Sequence, residues 1–167
     1  MDPISEARLG AILPQLAAKI RQIAEMVALD KPPLTFRVTQ GLRSWNEQAK
    51  LYAQGRTEPG PIVTNAPPGY SQHQFGLAVD IVPMGINDIP DWDENHPIWK
   101  RLIQVGESLG LTAGAEFRTF PDYPHLQLQG TWPITPNDEE RQVFREGGCF
   151  AVWEEAGLAP EGGYHSS

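Results

Sequence analysis

Four side chains in this sequence have the types and spacing for hydrolytic chemistry: His73, Asp80, Asp122 and His125. Two imidazoles and one carboxylate form a catalytic zinc set, with the fourth position left to water. A zinc so held is a Lewis acid and lowers the pKa of water to about 7. Such chemistry also needs a base that is not a ligand. Asp122, three residues before His125 and flanked by Pro121 and Pro124, is placed for that role. Asp80 falls inside the apolar run Leu77-Ala78-Val79-Asp80-Ile81-Val82, where a bare charge is costly to bury. A partner Arg or Lys offsets that cost as well as a metal does, and spacing alone leaves both open.

The elements that must position these groups can be read from periodicity. Leu9, Ile12, Leu13, Leu16, Ile20, Ile23 and Val27 mark one face of an amphipathic helix, with Ser5 as its cap and Pro14 as a start or a kink. Residues 35–40 alternate as a strand, and Ser44 caps a short helix from Trp45 to about Gln54, with Glu47 at the capping-box position. From Gly55 to Gly69 a proline- and glycine-rich loop surrounds an extended piece at Ile62-Val63-Thr64. His73 is expected to open the strand that carries Asp80. A helix follows from Pro97 to Leu109, stopped by Gly110.

Residues 111–117 read as a short strand with a turn. His125-Leu126-Gln127-Leu128-Gln129 reads as a strand with His125, Gln127 and Gln129 on one face. Two short helices, 138–147 and 149–156, are separated by Gly147-Gly148, and the tail at 162–167 is expected to fray. His96 and His165 read as solvated surface histidines. The expected architecture is α+β, with a small, mainly antiparallel sheet flanked by helices.

Composition sets the outer limits. The 167 residues suit one catalytic domain over 1–167, with C-terminal helices over 136–157 packed on its core. A formal charge of −8 argues against nucleic acid or an anionic membrane as partner. One cysteine, Cys149, excludes an internal disulfide and a multi-cysteine zinc site, and reads as a small buried side chain. No apolar run approaches the ~20 residues of a membrane-spanning helix. Lys19, Arg21 and Glu25 interrupt the place where a signal peptide needs an uncharged core. The protein is therefore expected to be cytoplasmic as synthesised, acting on its substrate after release or export. Trp132 and Trp153 are expected in the core.

The pattern S-x-H-x-x-G-x-A-x-D at Ser71 to Asp80, followed by D-x-P-H at Asp122 to His125, resembles the zinc D,D-peptidases and L-alanyl-D-glutamate endopeptidases of bacterial cell-wall metabolism. That family includes phage endolysins and shares its fold with the signalling domain of hedgehog proteins. Gly41-Leu42-Arg43-Ser44, Glu47-Gln48 and Leu51-Tyr52 extend the resemblance, which covers about residues 34–130.

The resemblance implies one catalytic zinc held by His73, Asp80 and His125, so that the metal rather than an Arg or Lys offsets Asp80. It implies Asp122 as the acid–base group, Arg43 as the cation steadying the substrate carbonyl, and Ser71 near the bound substrate. The activity implied is hydrolysis of the L-Ala–D-Glu bond of the peptidoglycan stem peptide by metal-activated water; separately, the chain is expected to act as a monomer. The alternatives are a D-Ala–D-Ala carboxypeptidase or dipeptidase of the same family, and a non-catalytic zinc-containing binding module.

Overall fold

The computed structural model describes residues 1–159; the expected frayed tail at 162–167, with His165, lies outside the described residues. Its α-helices are α1 (Pro3–Leu9), α2 (Pro14–Ala28), α3 (Trp45–Ala53), α4 (Pro97–Ser108) and α5 (Asp138–Glu155). Its strands are β1 (Phe36–Gln40), β2 (Ala78–Pro83), β3 (Thr112–Ala113) and β4 (His125–Gln127). They form a four-stranded antiparallel sheet in the order β1-β2-β4-β3, an α+β architecture. No described helix is long and apolar enough to cross a membrane.

The N-terminal apolar pattern faces the core throughout, with every residue from Leu9 to Val27 that forms it buried. The backbone nevertheless breaks into two helices, because Pro14 takes the first position of α2, where its missing N–H costs nothing. The cap also differs from expectation. Asp2, not Ser5, accepts hydrogen bonds from Ile4 N and Ser5 N, and Pro3 follows it at the first helical position. Ser5 is buried instead: its hydroxyl donates to Asp2 at 2.6 Å and accepts from Val38 N at 3.0 Å, tying α1 to β1.

The core lies where α2 and α4 pack on the sheet. Val79 and Ile81 of β2 and Leu126 of β4 enter one apolar cluster with Ile20, Ile23, Leu102 and Val105. A Cβ on Gly106 would lie 3.1 Å from Leu126, so the missing side chain lets α4 approach the sheet closely. A two-residue alternation along β2 thus sends Val79 and Ile81 into the core and leaves Asp80 for the other face.

At the C-terminus α5 covers the back of the site. Trp153 donates from Nε1 to Phe75 O at 2.8 Å, and Trp132 donates to Val152 O at 2.9 Å, so both indoles serve packing. The bend expected between two C-terminal helices is present at Gly148, with φ 66° and ψ −162°.

A candidate metal centre

The sheet register brings two of the four groups together. Asp80 and His125 are direct partners across β2 and β4, so their side chains leave the same face of the sheet as neighbours. His73 arrives differently from the expected strand: it sits in a 3₁₀ turn, Gln72–Phe75, and the strand starts only at Ala78. Gly76 closes that turn at φ 69°, a left-handed conformation that a side chain would strain, and so returns the chain toward Asp80. The turn is fixed to the segment after β1: Arg43 N donates to His73 O at 3.0 Å, and His73 Nδ1 donates to Gly41 O at 2.9 Å.

These contacts decide where the protons are. Gly41 O is an acceptor, so His73 carries its proton on Nδ1 and presents a lone pair from Nε2. Gln127 Nε2 donates to Ile134 O and Gln129 Oε1, both at 3.1 Å, which turns Gln127 Oε1 toward His125. His125 Nε2 donates to that oxygen at 2.8 Å, and His125 Nδ1 faces the site.

Three acceptors then converge. His73 Nε2 lies 3.1 Å from Asp80 Oδ1 and 3.2 Å from His125 Nδ1, and His125 Nδ1 lies 3.5 Å from Asp80 Oδ1. Four-coordinate bonds of ~2.0–2.1 Å place ligand atoms roughly 3.3–3.4 Å apart, so the spacing fits one divalent metal ion. The outward hydrogen bonds of both imidazoles are those that orient metal-bound histidines.

The electrostatics favour a positive charge at this centre. Burial alone would raise the Asp80 carboxyl, but His73 and His125 outweigh it and hold it well below the usual carboxylate range. Burial lowers the His73 imidazole, keeping it neutral and able to ligate. Burial also opposes charge on His125, yet Asp80 beside it prevails and raises its pKa.

Asp80 also has an arginine partner, contrary to the expectation that a metal alone offsets its charge. Arg43 Nη2 lies 3.2 Å from Asp80 Oδ2, leaving Oδ1 to the two imidazoles. Arg43 Nη1 donates to Gln48 Oε1 at 3.0 Å, and Gln48 Nε2 donates to Ala66 O at 2.7 Å. The fully buried Gln48 thus joins α3, Arg43 and the loop before Ser71. That loop is held by Arg56, which donates to Thr64 O and Asn65 Oδ1.

Asp122 and Ser71 line the same cleft, of about 790 Å³, together with Arg43 and the three converging acceptors. Burial, reinforced by the Asp80 charge, pushes the Asp122 carboxyl up to about 6, suited to exchanging a proton near neutral pH. Its backbone is fixed by Gly114, whose O accepts from Asp122 N at 2.9 Å. A Cβ at Gly114 would lie 2.6 Å from Asp122 O and 2.7 Å from His125 Cβ, so only glycine allows this approach. Residues 114–116 form a 3₁₀ turn after β3, the short strand with a turn expected there. Ser71 precedes the His73 turn, and its hydroxyl makes no capping hydrogen bond there.

Sequence reasoning passed over Gln127 and Gln48. Gln127 was legible as a face-mate of His125 on an alternating strand. Gln48 carried no chemical signal beyond its place in the resemblance. His96 is not simply a solvated side chain: its Nδ1 accepts from Ile98 N at 3.3 Å and caps α4.

Comparison with known proteins follows the same lines. A family described as D-alanyl-D-alanine carboxypeptidase matches residues 64–128. The peptidoglycan L-alanyl-D-glutamate endopeptidase CwlK of Bacillus subtilis (strain 168) is 37% identical over 98 residues, 54% of this chain and 59% of that protein. The chain therefore matches less than two thirds of that relative's length. The L-alanyl-D-glutamate peptidase of Escherichia phage T5 is 30% identical over 133 residues, 77% of this chain and 88% of that protein. In fold, the chain resembles the crystal structure of the Serratia marcescens L-Ala D-Glu endopeptidase ChiX, with a TM-score of 0.55 and 24% identity, covering 89% and 92% of the two chains.

Proposed function

The chain belongs to the M15 family of peptidases, which spans D-alanyl-D-alanine carboxypeptidases and L-alanyl-D-glutamate endopeptidases, and on that premise we propose that it hydrolyses the L-Ala–D-Glu bond of the peptidoglycan stem peptide with one zinc ion. The observation that carries this reading is the convergence of His73 Nε2, Asp80 Oδ1 and His125 Nδ1 beside Asp122 in one cleft. Zinc suits two imidazoles and a carboxylate, and when bound it supplies Lewis-acid polarisation and a more acidic water.

The chain's own residues do the rest. Asp122, with its carboxyl near 6, takes the proton of the attacking water and passes it to the leaving amine. Arg43 steadies Asp80 through Oδ2 and adds a fixed positive charge where the scissile carbonyl gains negative charge. The Ser71 hydroxyl is available to the peptide backbone. The cleft, at about 790 Å³, lies within the range for small-molecule sites and has room for a stretch of stem peptide. The reading includes a monomer that meets the wall after release or export.

Digestion of purified peptidoglycan, with identification of the new termini by mass spectrometry, tests it. New N-terminal D-Glu is expected, with Asp122→Ala retaining zinc but losing at least ~100-fold in rate. Release of free D-Ala instead selects the carboxypeptidase, and full zinc occupancy without turnover selects a binding module.

A further inference from the structure

We propose that Arg118 sets substrate specificity by pairing with the free carboxylate of the D-Glu residue at the scissile bond, a role that rests on the endopeptidase reading. D-Glu has two carboxyls and only one continues the stem peptide. The residue that supplies the leaving amine therefore always keeps a second carboxyl, which is an anion unless it is amidated.

Away from the metal-binding acceptors and Arg43, the cleft is poorly suited to an anion except at one point. Asp80, Asp122 and Glu116 all line it, in a chain of formal charge −8. Its lining includes two cations, Arg43 and Arg118. Arg43 is engaged by Asp80 and Gln48. Arg118 has no hydrogen bond or ion pair to another side chain among the described residues and stands exposed at the cleft wall.

The loop that carries Arg118 is rigid at its base and close to the chemistry. Gly114 O accepts from both Phe117 N, at 3.0 Å, and Asp122 N, at 2.9 Å, closing residues 114–122 into a compact loop. The Phe117 ring packs 5.5 Å from the His125 ring, and Arg118 is the next residue. Asp122, four residues on, serves the leaving amine nitrogen. The free carboxyl of a D-Glu linked onward through its side chain sits two bonds from that nitrogen. One short loop thus presents a proton carrier for the amine and a guanidinium for its neighbouring carboxylate. The planar guanidinium fork matches a carboxylate in a way that an ammonium does not.

The test compares two peptides, L-Ala-γ-D-Glu-L-Lys and its counterpart with the free D-Glu carboxyl amidated, as kcat/KM at saturating zinc. The wild type should prefer the carboxylate form by about 10- to 100-fold, the worth of a charge-assisted hydrogen bond. Arg118→Gln should bring the two within about threefold by slowing only the carboxylate form, and Arg118→Lys should fall between. Zinc per protein and thermal midpoint should not change. An Arg118→Gln enzyme that keeps the preference, or slows equally on both peptides, overturns the proposal. A wild type that cuts neither peptide after L-Ala while releasing D-Ala from longer stems shows that the endopeptidase reading itself has failed, and the Arg118 role fails with it.

Discussion

Gln72 and His73 are consecutive and both buried, yet their side chains reach two polar clusters that treat a carboxyl in opposite ways. His73 meets Asp80, which also has Arg43 at 3.2 Å and the His125 ring at 3.5 Å. Gln72 meets Glu140, fully buried near the start of α5, through one Nε2 contact at 3.3 Å. Glu140 Oε1 and Gln72 Oε1 have no hydrogen-bond partner. Arg141, the next residue, is turned away toward Gly69 O, Pro136 O and Asp138. Asp80 is held ionised far below its usual range, whereas burial pushes Glu140 up to about 7. Burial opposes charge in both clusters. Compensation by cationic neighbours separates the one that can take a metal from the one that holds a proton.

The largest break in this contrast comes from removing the Asp80 charge while keeping its shape. Asp80→Asn should weaken zinc binding by on the order of a thousandfold or more, because it removes the only anionic one of the three converging ligands. Competition with a chelator of known affinity measures this, and circular dichroism should show the fold retained. Affinity within tenfold of the wild type would mean that the converging acceptors are not the metal site.

A smaller break leaves every ligand in place. Gln127 sets the His125 proton on Nε2 only because its own amide is fixed by Ile134 O and Gln129. Gln127→Leu removes that acceptor and should cost roughly 10- to 100-fold in zinc affinity, the usual range for a hydrogen bond behind a ligand. Gln127→Glu keeps an acceptor and should recover most of the loss. The ¹⁵N shifts of His125 report the tautomer directly. Equal losses in the two variants would assign Gln127 to packing alone.

The contrast also shows where sequence reading stops. His125 and Gln127 were legible because strand alternation is local, and the Asp80 to His125 pairing needed only two recognisable strands. The turn that carries His73 was not legible as such: 3₁₀ geometry leaves no periodic signature in four residues, and Gly76 marked only its end. The Arg43 to Asp80 ion pair joins residues 37 apart in sequence, and spacing alone could not choose it over a metal. In the structure Asp80 has both an arginine and a metal-binding geometry. Ser5 was misplaced because a hydroxyl near a helix start signals a cap, although Asp2-Pro3, a cap followed by a proline for the first helical position, stands just before it in the sequence. Glu140 lies in the acidic first turn Asp138-Glu139-Glu140, where carboxyls ordinarily sit in water and favour the helix dipole. Its burial comes from α5 folding back on the 3₁₀ turn, a long-range event.

The smallest expected effect concerns that second carboxyl, and its sign follows from the direction of the shift. Glu140 has an ordinary pKa of 4.5 and about 7 in the fold, so between those values the native state holds a proton that the unfolded chain has lost. Its favourable contribution is complete below about pH 4.5, declines as pH rises, and is gone above about pH 7. Glu140→Gln has no proton to lose and should remove that slope. With zinc chelated in both proteins, urea unfolding at pH 5 and pH 8 should show the wild type losing about 1 kcal/mol more than the variant. This lies below the ~3 kcal/mol ceiling that such a shift implies, because the protein relaxes around a buried charge. The gain of the variant should appear at pH 8 and vanish at pH 5. If both proteins lose the same stability over that interval, Glu140 is compensated in solution much as Asp80 is, and the two clusters do not differ in kind.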